Sequence, residues 1–472
     1  MDSKRLTTFV DEVWDDSIVP TLCDYIEVPC KSPHFDPDWE RHGYLSEAAE
    51  QLERWAAASG VRGLTHRIVT LPGRTPLLLC VVEGTGPGNA LLYGHYDKQP
   101  EFTGWREGLA PWKPVIRDGR LYGRGGADDG YAMFGSLTAI AALQSQGIPH
   151  PRCVVFIEGC EESGSFDLPP YMDALAEEIG TPDLVVCLDA ECGNYDQLWL
   201  TNSLRGMLIG TLTVQVLEEG VHSGVAGGVV PSSFRLLRQV LERVENSVTG
   251  ALHEALNAPI PEAMRAQAEQ VAEVLGELTV GRFPWAGDTN AGSPSHAELI
   301  LANAWRPSLG VVGLDGAPAT KDAGNTLRPL TAAKLAFRLP PTLDAEVAAS
   351  AVKQALEDAP PHDAVVSFEV QDTAGGWAAP PAADWLTAAL GTASQAHFGA
   401  PLMAMGTGGT IPFMKMLGDR FAGVQFAVTG VLGPNSNAHG PNEFLDIPTG
   451  KRVTACISHA LAALAQERGR PS

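Results

Sequence analysis

Short runs of consecutive apolar residues, bounded by turn-forming residues, dominate the first 190 positions of the chain. Four of these runs have the length of a β-strand, at residues 77–82, 90–93, 153–157 and 184–188. Helical patterns alternate with them, because apolar residues recur every three or four positions in residues 45–56 and fill most of residues 131–143. Strands that are apolar throughout and alternate with helices indicate an α/β sheet that is covered on both faces.

The pattern changes near residue 206, where apolar and polar residues begin to alternate. Leu212, Val214 and Val216 alternate with threonine and glutamine, which predicts a strand with one solvated face. A helix predicted from Pro231 and strands predicted around residues 333–337 and 365–368 follow. Strands with one exposed face and a helix between them describe a small α+β unit.

The first pattern returns after residues 371–384, which are rich in glycine, alanine and proline and predict a linker. A helix predicted from Trp385 and an apolar run at residues 424–431 follow this linker. We therefore predict one α/β domain, formed by residues 1–205 and 379–472, that is interrupted by an inserted domain of residues 206–378.

The composition limits which binding partners and which cellular compartment suit this chain. The 472 residues contain 33 Lys and Arg against 56 Asp and Glu, which leaves a formal net charge of −23. A negative field of this size disfavours nucleic acid and anionic membranes as partners. No apolar run approaches the roughly 18 residues of a membrane span, and the basic N-terminal residues are not followed by an apolar stretch. The eight cysteines form no CxxC pair, so we expect reduced thiols and a cytoplasmic protein.

Residues that bind metals or transfer protons follow four of the predicted strands. They are His95 and Asp97 after residues 90–93, Glu161 and Glu162 after residues 153–157, Asp189 after residues 184–188, and His439 in a loop after residues 424–431. Asp128 and Asp129 come just before the helix predicted at residues 131–143. Ligands of open α/β sheets bind beyond the carboxyl ends of the strands, so we expect these side chains to converge in one crevice.

A crowd of carboxylates in one crevice is tolerable only where cations neutralise it. Two imidazoles among carboxylates suit zinc, with manganese or cobalt as alternatives. A single zinc ion takes only three protein ligands, whereas two divalent ions that share one carboxylate take five and leave a carboxylate for proton transfer. The residues therefore favour a two-metal hydrolase. Each of them alone has an ordinary alternative, such as a helix cap or a solvated loop charge, so the hypothesis depends on their joint placement.

The sequence lacks the motifs of other hydrolases. It contains no GxSxG nucleophile elbow, and His253-Glu254 lacks the second histidine of HExxH. Residues 123–126 (GRGG) match a phosphate-binding loop only loosely. A metal-free hydrolase with paired carboxylates, such as a glycosidase, would give the two histidines no reason to share the site.

Seven segments resemble motifs of the di-zinc aminoacylase and dipeptidase metallopeptidases. In chain order they are GHYDKQP (94–100), DGRLYGRGGADDG (118–130), EGCEESGS (158–165), CLDAE (187–191), GVHSG (220–224), GGTIP (408–412) and NAHGPNE (437–443). This family includes carnosinase-like dipeptidases, acetylornithine deacetylase, succinyl-diaminopimelate desuccinylase and glutamate carboxypeptidases. Trp105, Trp112 and the length of the insertion are most similar to the carnosinase-type branch. The resemblance implies a mixed-sheet α/β catalytic domain with an inserted smaller α+β domain that serves as the lid and dimerisation domain of a homodimer.

The resemblance also implies a set of five metal ligands. His95 and Asp189 would bind one metal ion, Glu162 and His439 would bind the other, and Asp128 would bridge the two.

Three further roles follow from the resemblance. Glu161 would be the general base that takes a proton from the attacking water, and Asp97 would orient His95 through its free ring nitrogen. His222 would stabilise the oxyanion from the neighbouring subunit. In the family the peptide bond after the bridging aspartate is often cis, and Lys-Gly commonly follows the Asp pair, where this chain has Gly130 and Tyr131.

Arg338 lies on the face of its predicted strand opposite Leu335 and Phe337, so it is not a core residue. The resemblance implies that Arg338 binds the terminal carboxylate of the substrate, which bidentate guanidinium geometry suits. The pocket would be completed by Asn325, Thr326 and the loop Gly408, Gly409 and Thr410.

These observations predict a homodimeric di-metal hydrolase that cleaves the amide bond of a dipeptide or a similar small substrate with a free carboxylate. An N-acyl amino acid deacylase with the same mechanism is the alternative hypothesis. A non-catalytic carboxylate-binding relative is a third hypothesis, which the complete set of ligand candidates together with Glu161 disfavours. The substrate, the native metal and the role of residues 283–320 stay open.

Overall fold

The computed structural model describes residues 1–470, without the side chain of Pro412, and this part of the chain contains 18 strands. In chain order they are β1 (Leu64–Val69), β2 (Leu77–Val82), β3 (Asn89–His95), β4 (Val115–Arg117), β5 (Arg120–Tyr122), β6 (Arg152–Glu158), β7 (Leu184–Cys187), β8 (Trp199–Leu204), β9 (Gly206–Gln215), β10 (Val221–His222), β11 (Ser308–Asp315), β12 (Thr326–Leu327), β13 (Leu330–Leu339), β14 (Val365–Ala374), β15 (Trp377–Ala378), β16 (Met403–Thr407), β17 (Gln425–Val428) and β18 (Phe444–Asp446).

The α-helices of the described residues surround these strands. In chain order they are α1 (Ser3–Val13), α2 (Val19–Glu27), α3 (Trp39–His42), α4 (Tyr44–Ala58), α5 (Ala132–Ser145), α6 (Leu168–Ala174), α7 (Ala176–Ile179), α8 (Ser223–Ala226), α9 (Ser233–Leu241), α10 (Glu262–Leu275), α11 (Leu278–Gly281), α12 (His296–Ala304), α13 (Ala345–Glu357), α14 (Asp384–His397), α15 (Pro412–Arg420) and α16 (Ile447–Arg468). No helix among residues 1–470 is both long enough and apolar enough to cross a membrane.

The largest sheet has six strands in the order β1-β2-β6-β3-β7-β17. Strands β6, β3, β7 and β17 run parallel to one another, whereas β1 and β2 are antiparallel to their neighbours. Successive residues of one strand enter different cores, since Leu78 packs with α4, α5 and α16 while Leu79 packs with α6 and α15 on the opposite face. The prediction of a mixed α/β sheet covered on both faces is confirmed.

A second sheet is antiparallel, with four strands in the order β11-β13-β9-β14. Buried and half-exposed residues alternate along the whole of β9, as the sequence pattern predicts. The buried face packs against α9 and α13. Helix α9 begins after Ser232, whose hydroxyl accepts the backbone N–H of Arg235 and so caps the helix.

The linker predicted at residues 371–384 is wrong in its first half. Strand β14 continues to Ala374, and β15 pairs with β8 in a three-stranded sheet whose third strand is β16. The Trp377 ring is buried and lies edge-on to Phe426, with 5.1 Å between the ring centroids. Burial of this large aromatic side chain stabilises an extended segment. The neighbouring glycines and prolines are typical of loops, so the sequence pattern predicted a linker there.

Helices α10 and α12, which belong to the predicted insertion, pack against β16 of the same small sheet. The boundaries of the insertion at residues 206 and 378 stay a prediction. All eight cysteines are free, and seven of them are buried.

Candidate metal centre

The candidate ligands collect at one edge of the large sheet. His95 ends β3, the Glu161 and Glu162 pair follows β6, and Asp189 follows β7. These three strands are parallel neighbours, so their carboxyl ends meet at the same edge. Asp128 lies in the turn before α5, and His439 lies in the loop between β17 and β18. The structure therefore brings together the side chains that sequence analysis expects in one crevice.

Five side chains form two groups of three that share Asp128. The first group is His95, Asp128 and Asp189, and the second is Asp128, Glu162 and His439. His95 Nε2 lies 3.3 Å from Asp128 Oδ1 and 3.8 Å from Asp189 Oδ2. His439 Nε2 lies 3.0 Å from Asp128 Oδ2 and 3.2 Å from Glu162 Oε2. The two oxygens of Asp128 thus face different groups, which is the geometry of a carboxylate shared by two cations.

The electrostatics of these groups also fit divalent cations. Burial, together with the charge of Asp128, raises the pKa of Asp189 well above its usual value. Burial would raise the pKa of Asp128 as well, but the nearby imidazoles of His439 and His95 hold it below the usual range. The fully buried His95 Nε2 has no hydrogen-bond partner among the described residues. A buried imidazole nitrogen without a partner, facing carboxylates, fits a metal ligand.

The contacts of His95 determine which of its nitrogens is available. Its Nδ1 lies 3.1 Å from the backbone carbonyl oxygen of Asp97. Because a carbonyl can only accept, Nδ1 donates this hydrogen bond, and Nε2 of the neutral ring keeps its lone pair. The Asp97 carboxylate lies farther from Nδ1, at 3.5 Å.

The carboxylate of Asp97 also contacts the backbone after β6. Its two oxygens accept the backbone N–H groups of Glu161 and Glu162, each at 3.0 Å. Asp97 thus contacts His95 mainly through its backbone carbonyl, and its carboxylate binds the backbone amides of the two glutamates. The expected role of its carboxylate in orienting His95 stays a prediction.

The turn that carries Asp128 packs tightly against β3. The peptide bond between Asp128 and Asp129 is cis. A Cβ on Gly94 would lie 2.5 Å from Ala132 Cβ and 2.8 Å from Asp129 Oδ2, so only glycine permits this approach. At the position where the family pattern differs, the buried Tyr131 donates a hydrogen bond to the Leu188 carbonyl at 2.6 Å, next to Asp189. The departure from the family pattern therefore supports a candidate ligand.

Several residues that contact the candidate ligands or their loops were not predicted from the sequence. Gln99 Nε2 donates to Glu162 Oε2 at 2.6 Å. Arg124 forms a buried ion pair with Glu443 in the loop that carries His439. Both Gln99 and Arg124 lie within motifs that flank ligands, and a polar or charged residue in such a loop is the signal that could have identified them.

Three of the residues expected to bind the substrate carboxylate, Arg338, Gly409 and Thr410, form a separate cluster. Arg338 Nη1 donates to Thr410 Oγ1 at 2.9 Å, and Thr410 Oγ1 donates to the Arg205 carbonyl at 2.6 Å. The Arg205 amide donates to the Gly409 carbonyl at 3.1 Å. Burial, with the nearby charge of Arg338, lowers the pKa of Arg205 to about 10. Arg205, which sequence analysis did not single out, is thus a second guanidinium at this pocket.

His222, Asn325 and Thr326 lie together elsewhere in the chain. His222 pairs with Thr326 between β10 and β12, and the Ser223 amide donates to the Asn325 carbonyl at 2.9 Å. Within residues 1–470, no hydrogen bond or ion pair joins this trio to the two metal groups or to Arg338. The places of Asn325 and Thr326 in the Arg338 pocket, and of His222 at the oxyanion, stay predictions.

Known proteins resemble this chain along most of its length. Residues 91–463 match the family described as Peptidase family M20/M25/M40. A cysteinylglycine-S-conjugate dipeptidase of Corynebacterium striatum is 29% identical over 430 residues, which cover 88% of this chain and 89% of that protein. The β-Ala-His dipeptidase of Homo sapiens is 26% identical over 386 residues, which cover 75% of this chain and 71% of that protein.

Solved structures share the fold. The di-peptidase Dug1p of Saccharomyces cerevisiae superposes with a TM-score of 0.78 at 22% identity, covering 100% of this chain and 99% of its own. Human carnosine dipeptidase 1 superposes with a TM-score of 0.77 at 20% identity, covering 98% of this chain and 99% of its own. The family resemblance seen in the motifs is therefore confirmed. The chain belongs to peptidase family M20/M25/M40 and is a peptidase that acts on peptide bonds.

Proposed function

We propose that this protein is a two-metal dipeptidase that cleaves the amide bond of small peptides with a free C-terminal carboxylate. The observation that carries the proposal is the position of Asp128, whose two oxygens face separate imidazole and carboxylate groups. One carboxylate between two such groups supports a pair of cations rather than one.

The two groups would hold divalent cations, most naturally zinc, with manganese or cobalt as substitutes. His95 and Asp189 would bind one cation, Glu162 and His439 the other, and Asp128 both. Such cations supply Lewis acidity that polarises a carbonyl and lowers the pKa of water.

Glu161 would be the general base. It belongs to neither group of three, and its Oε2 lies 3.9 Å from His95 Nε2. The hydrogen bonds from its amide and that of Glu162 to Asp97 fix the backbone from which its side chain projects. Glu161 takes a proton from the attacking water and returns it to the leaving amine.

The Arg338 pocket would bind the C-terminal carboxylate of the substrate. Arg338 is half-buried and forms no ion pair with a carboxylate among residues 1–470. Thr410 orients its guanidinium, and Arg205 adds a second positive charge. A pocket with two cationic side chains supports recognition of a carboxylate. The names of the relatives place Cys-Gly conjugates and β-Ala-His first among the dipeptides to test.

We also infer a homodimer in which residues 206–378 form the lid and dimerisation domain. Strand β11 is an edge strand, and it exposes Val311, Val312 and Leu314. An apolar edge strand supports pairing with a second chain. His222 is exposed, so it could enter the site of the partner subunit. A sedimentation experiment that detects only monomers would refute this arrangement. The eight free cysteines support a location in the reducing cytoplasm.

The function is tested with a panel of dipeptides and N-acetyl amino acids, each assayed with zinc, manganese or cobalt and after chelation. We expect hydrolysis of dipeptides that chelators abolish. Glu161→Ala should retain the metal content of the wild type and lose turnover by about 100- to 10,000-fold, because the general base is removed. Metal content is measured by mass spectrometry and turnover by amine release.

Glu177→Ala is the matched control, because Glu177 is an exposed glutamate on α7. Its turnover should equal that of the wild type. Full activity of Glu161→Ala, or hydrolysis that survives complete removal of metal, would contradict the proposal.

A further inference from the structure

The fold holds the two candidate cation groups in different ways. His95 ends a central strand of the large sheet and its side chain is fully buried. His439 instead lies in a loop, its side chain is 57% exposed, and its backbone has a φ of 61°. A left-handed φ is costly for a residue other than glycine and persists only where the surrounding structure imposes it. Packing of the large sheet therefore does not by itself fix the imidazole of His439.

A buried ion pair connects the His439 loop to the turn before Asp128. Arg124 and Glu443 are 1% and 0% exposed, and Arg124 Nη1 pairs with a Glu443 carboxylate oxygen. Arg124 Nη2 donates to the carbonyl of Gly440, the residue after His439, at 2.8 Å. The other Glu443 oxygen accepts the Gly125 amide at 2.8 Å. We call this pair with its two backbone hydrogen bonds the Arg124–Glu443 clamp.

The clamp joins the backbones on either side of the second group. Arg124 and Gly125 precede Asp128 by a few residues, and Gly440 and Glu443 follow His439. A further hydrogen bond, from the Gly123 amide to the Glu443 carbonyl at 3.1 Å, runs parallel to it. The clamp thus connects the two segments that carry Asp128 and His439, two of the three ligands of the second group. The first group shares Asp128, whose turn also packs against β3 at Gly94, and it receives His95 and Asp189 from the large sheet. His439 is therefore the ligand that depends most on the clamp.

We propose that the Arg124–Glu443 clamp sets the cation affinity of the Asp128, Glu162 and His439 group and leaves the other group unaffected. This inference rests on the two-cation centre proposed above. Arg124 and Glu443 are positioning residues, because they act through the loop that carries His439. The planar guanidinium reaches a carboxylate and a carbonyl at once, which the single ammonium of lysine cannot reproduce.

The test uses Arg124→Lys and Glu443→Gln in the full-length protein, with cobalt added stepwise to the metal-free form. Absorption spectra and equilibrium dialysis give one dissociation constant for each cobalt ion that a chain binds. We expect the wild type to bind two ions per chain. Both variants should bind the first with an unchanged constant and the second about 10- to 100-fold more weakly, as is usual when the supports of metal ligands are removed.

Two further variants identify the site that is affected. His439→Ala removes a ligand of the second group and should abolish the same binding step. Combining it with Arg124→Lys should cause no additional loss. Arg420→Lys is the matched control, because Arg420 also bridges a carboxylate and a carbonyl, Asp173 Oδ1 at 2.7 Å and Met172 O at 3.0 Å, on the surface. Both of its constants should equal those of the wild type.

The outcomes separate the clamp from a general structural role. Circular dichroism shows whether each variant is folded. If Arg124→Lys does not fold, the binding constants of Glu443→Gln, which preserves side-chain size, provide the test. Unchanged constants in folded variants, or equal weakening of both binding steps, would overturn the inference. Failure of both variants to fold would also overturn it, because the pair would then serve the stability of the whole domain. A wild type that binds fewer than two ions would refute the proposed function, and this inference with it.

Discussion

Residue type alone was enough to predict the candidate ligands, including Asp128, but not the residues that support them. Only a few side chains bind zinc-like ions, so histidines and carboxylates at strand ends could be predicted as ligands from the sequence. The contacts that support them could not, because they join distant positions. Gln99 reaches Glu162 across 63 residues, and Arg124 reaches Glu443 across 319. Such pairings depend on tertiary structure, and no local pattern reveals them.

At Arg338, we expect replacement by methionine to impair substrate binding more than turnover. The change removes a charged donor of hydrogen bonds to the substrate carboxylate, which contributes about 1.5–3 kcal/mol, or roughly 10- to 100-fold in KM. Steady-state kinetics on a dipeptide measures this increase. A dipeptide with a C-terminal amide is the control, because its kcat/KM should be the same for both proteins. An unchanged KM for the dipeptide with a free carboxylate would mean that another residue binds that carboxylate.

At the scale of elements, the long apolar strands could be predicted and the short ones could not. Strands β2, β3, β6 and β7 are buried on both faces, so their composition identifies them. Strand β15 has two residues, too few to show a period, and the glycines before it predicted a linker. Its extended form depends on β8 and on the packing of Trp377 against Phe426.

The contact between β3 and the turn before α5 makes a prediction for Gly94→Ala. The added Cβ would lie 2.5 Å from Ala132 Cβ and 2.8 Å from Asp129 Oδ2, closer than real Cβ contacts. We expect a loss of about 1–3 kcal/mol in the free energy of unfolding, the usual cost of overpacking, together with weaker metal binding. Denaturant unfolding and metal dialysis measure the two effects.

Gly391→Ala is the control for that substitution. Gly391 lies within α14, and a Cβ there would have no atom within 4 Å. Alanine favours a helix over glycine, so this variant should be as stable as the wild type or more stable. Equal stability of the Gly94→Ala and Gly391→Ala variants would show that β3 does not pack against the turn as described.

At the scale of the whole molecule, the division into an α/β part and an antiparallel α+β part could be predicted from the change of hydrophobic period near residue 206. The packing between the parts could not. Helices α10 and α12 lie against β16, although more than a hundred residues separate some of these positions. His222 with Thr326 and Arg338 with Thr410 form separate clusters in one chain. A homodimer would allow the first cluster to complete a site in the partner subunit.

We propose that Asp128 lies between two divalent cations. Anomalous diffraction from crystals grown with zinc, collected on both sides of the zinc absorption edge, tests it most directly. We expect two peaks, one among His95, Asp128 and Asp189 and the other among Asp128, Glu162 and His439. A single peak, or peaks that do not contact Asp128, would contradict it.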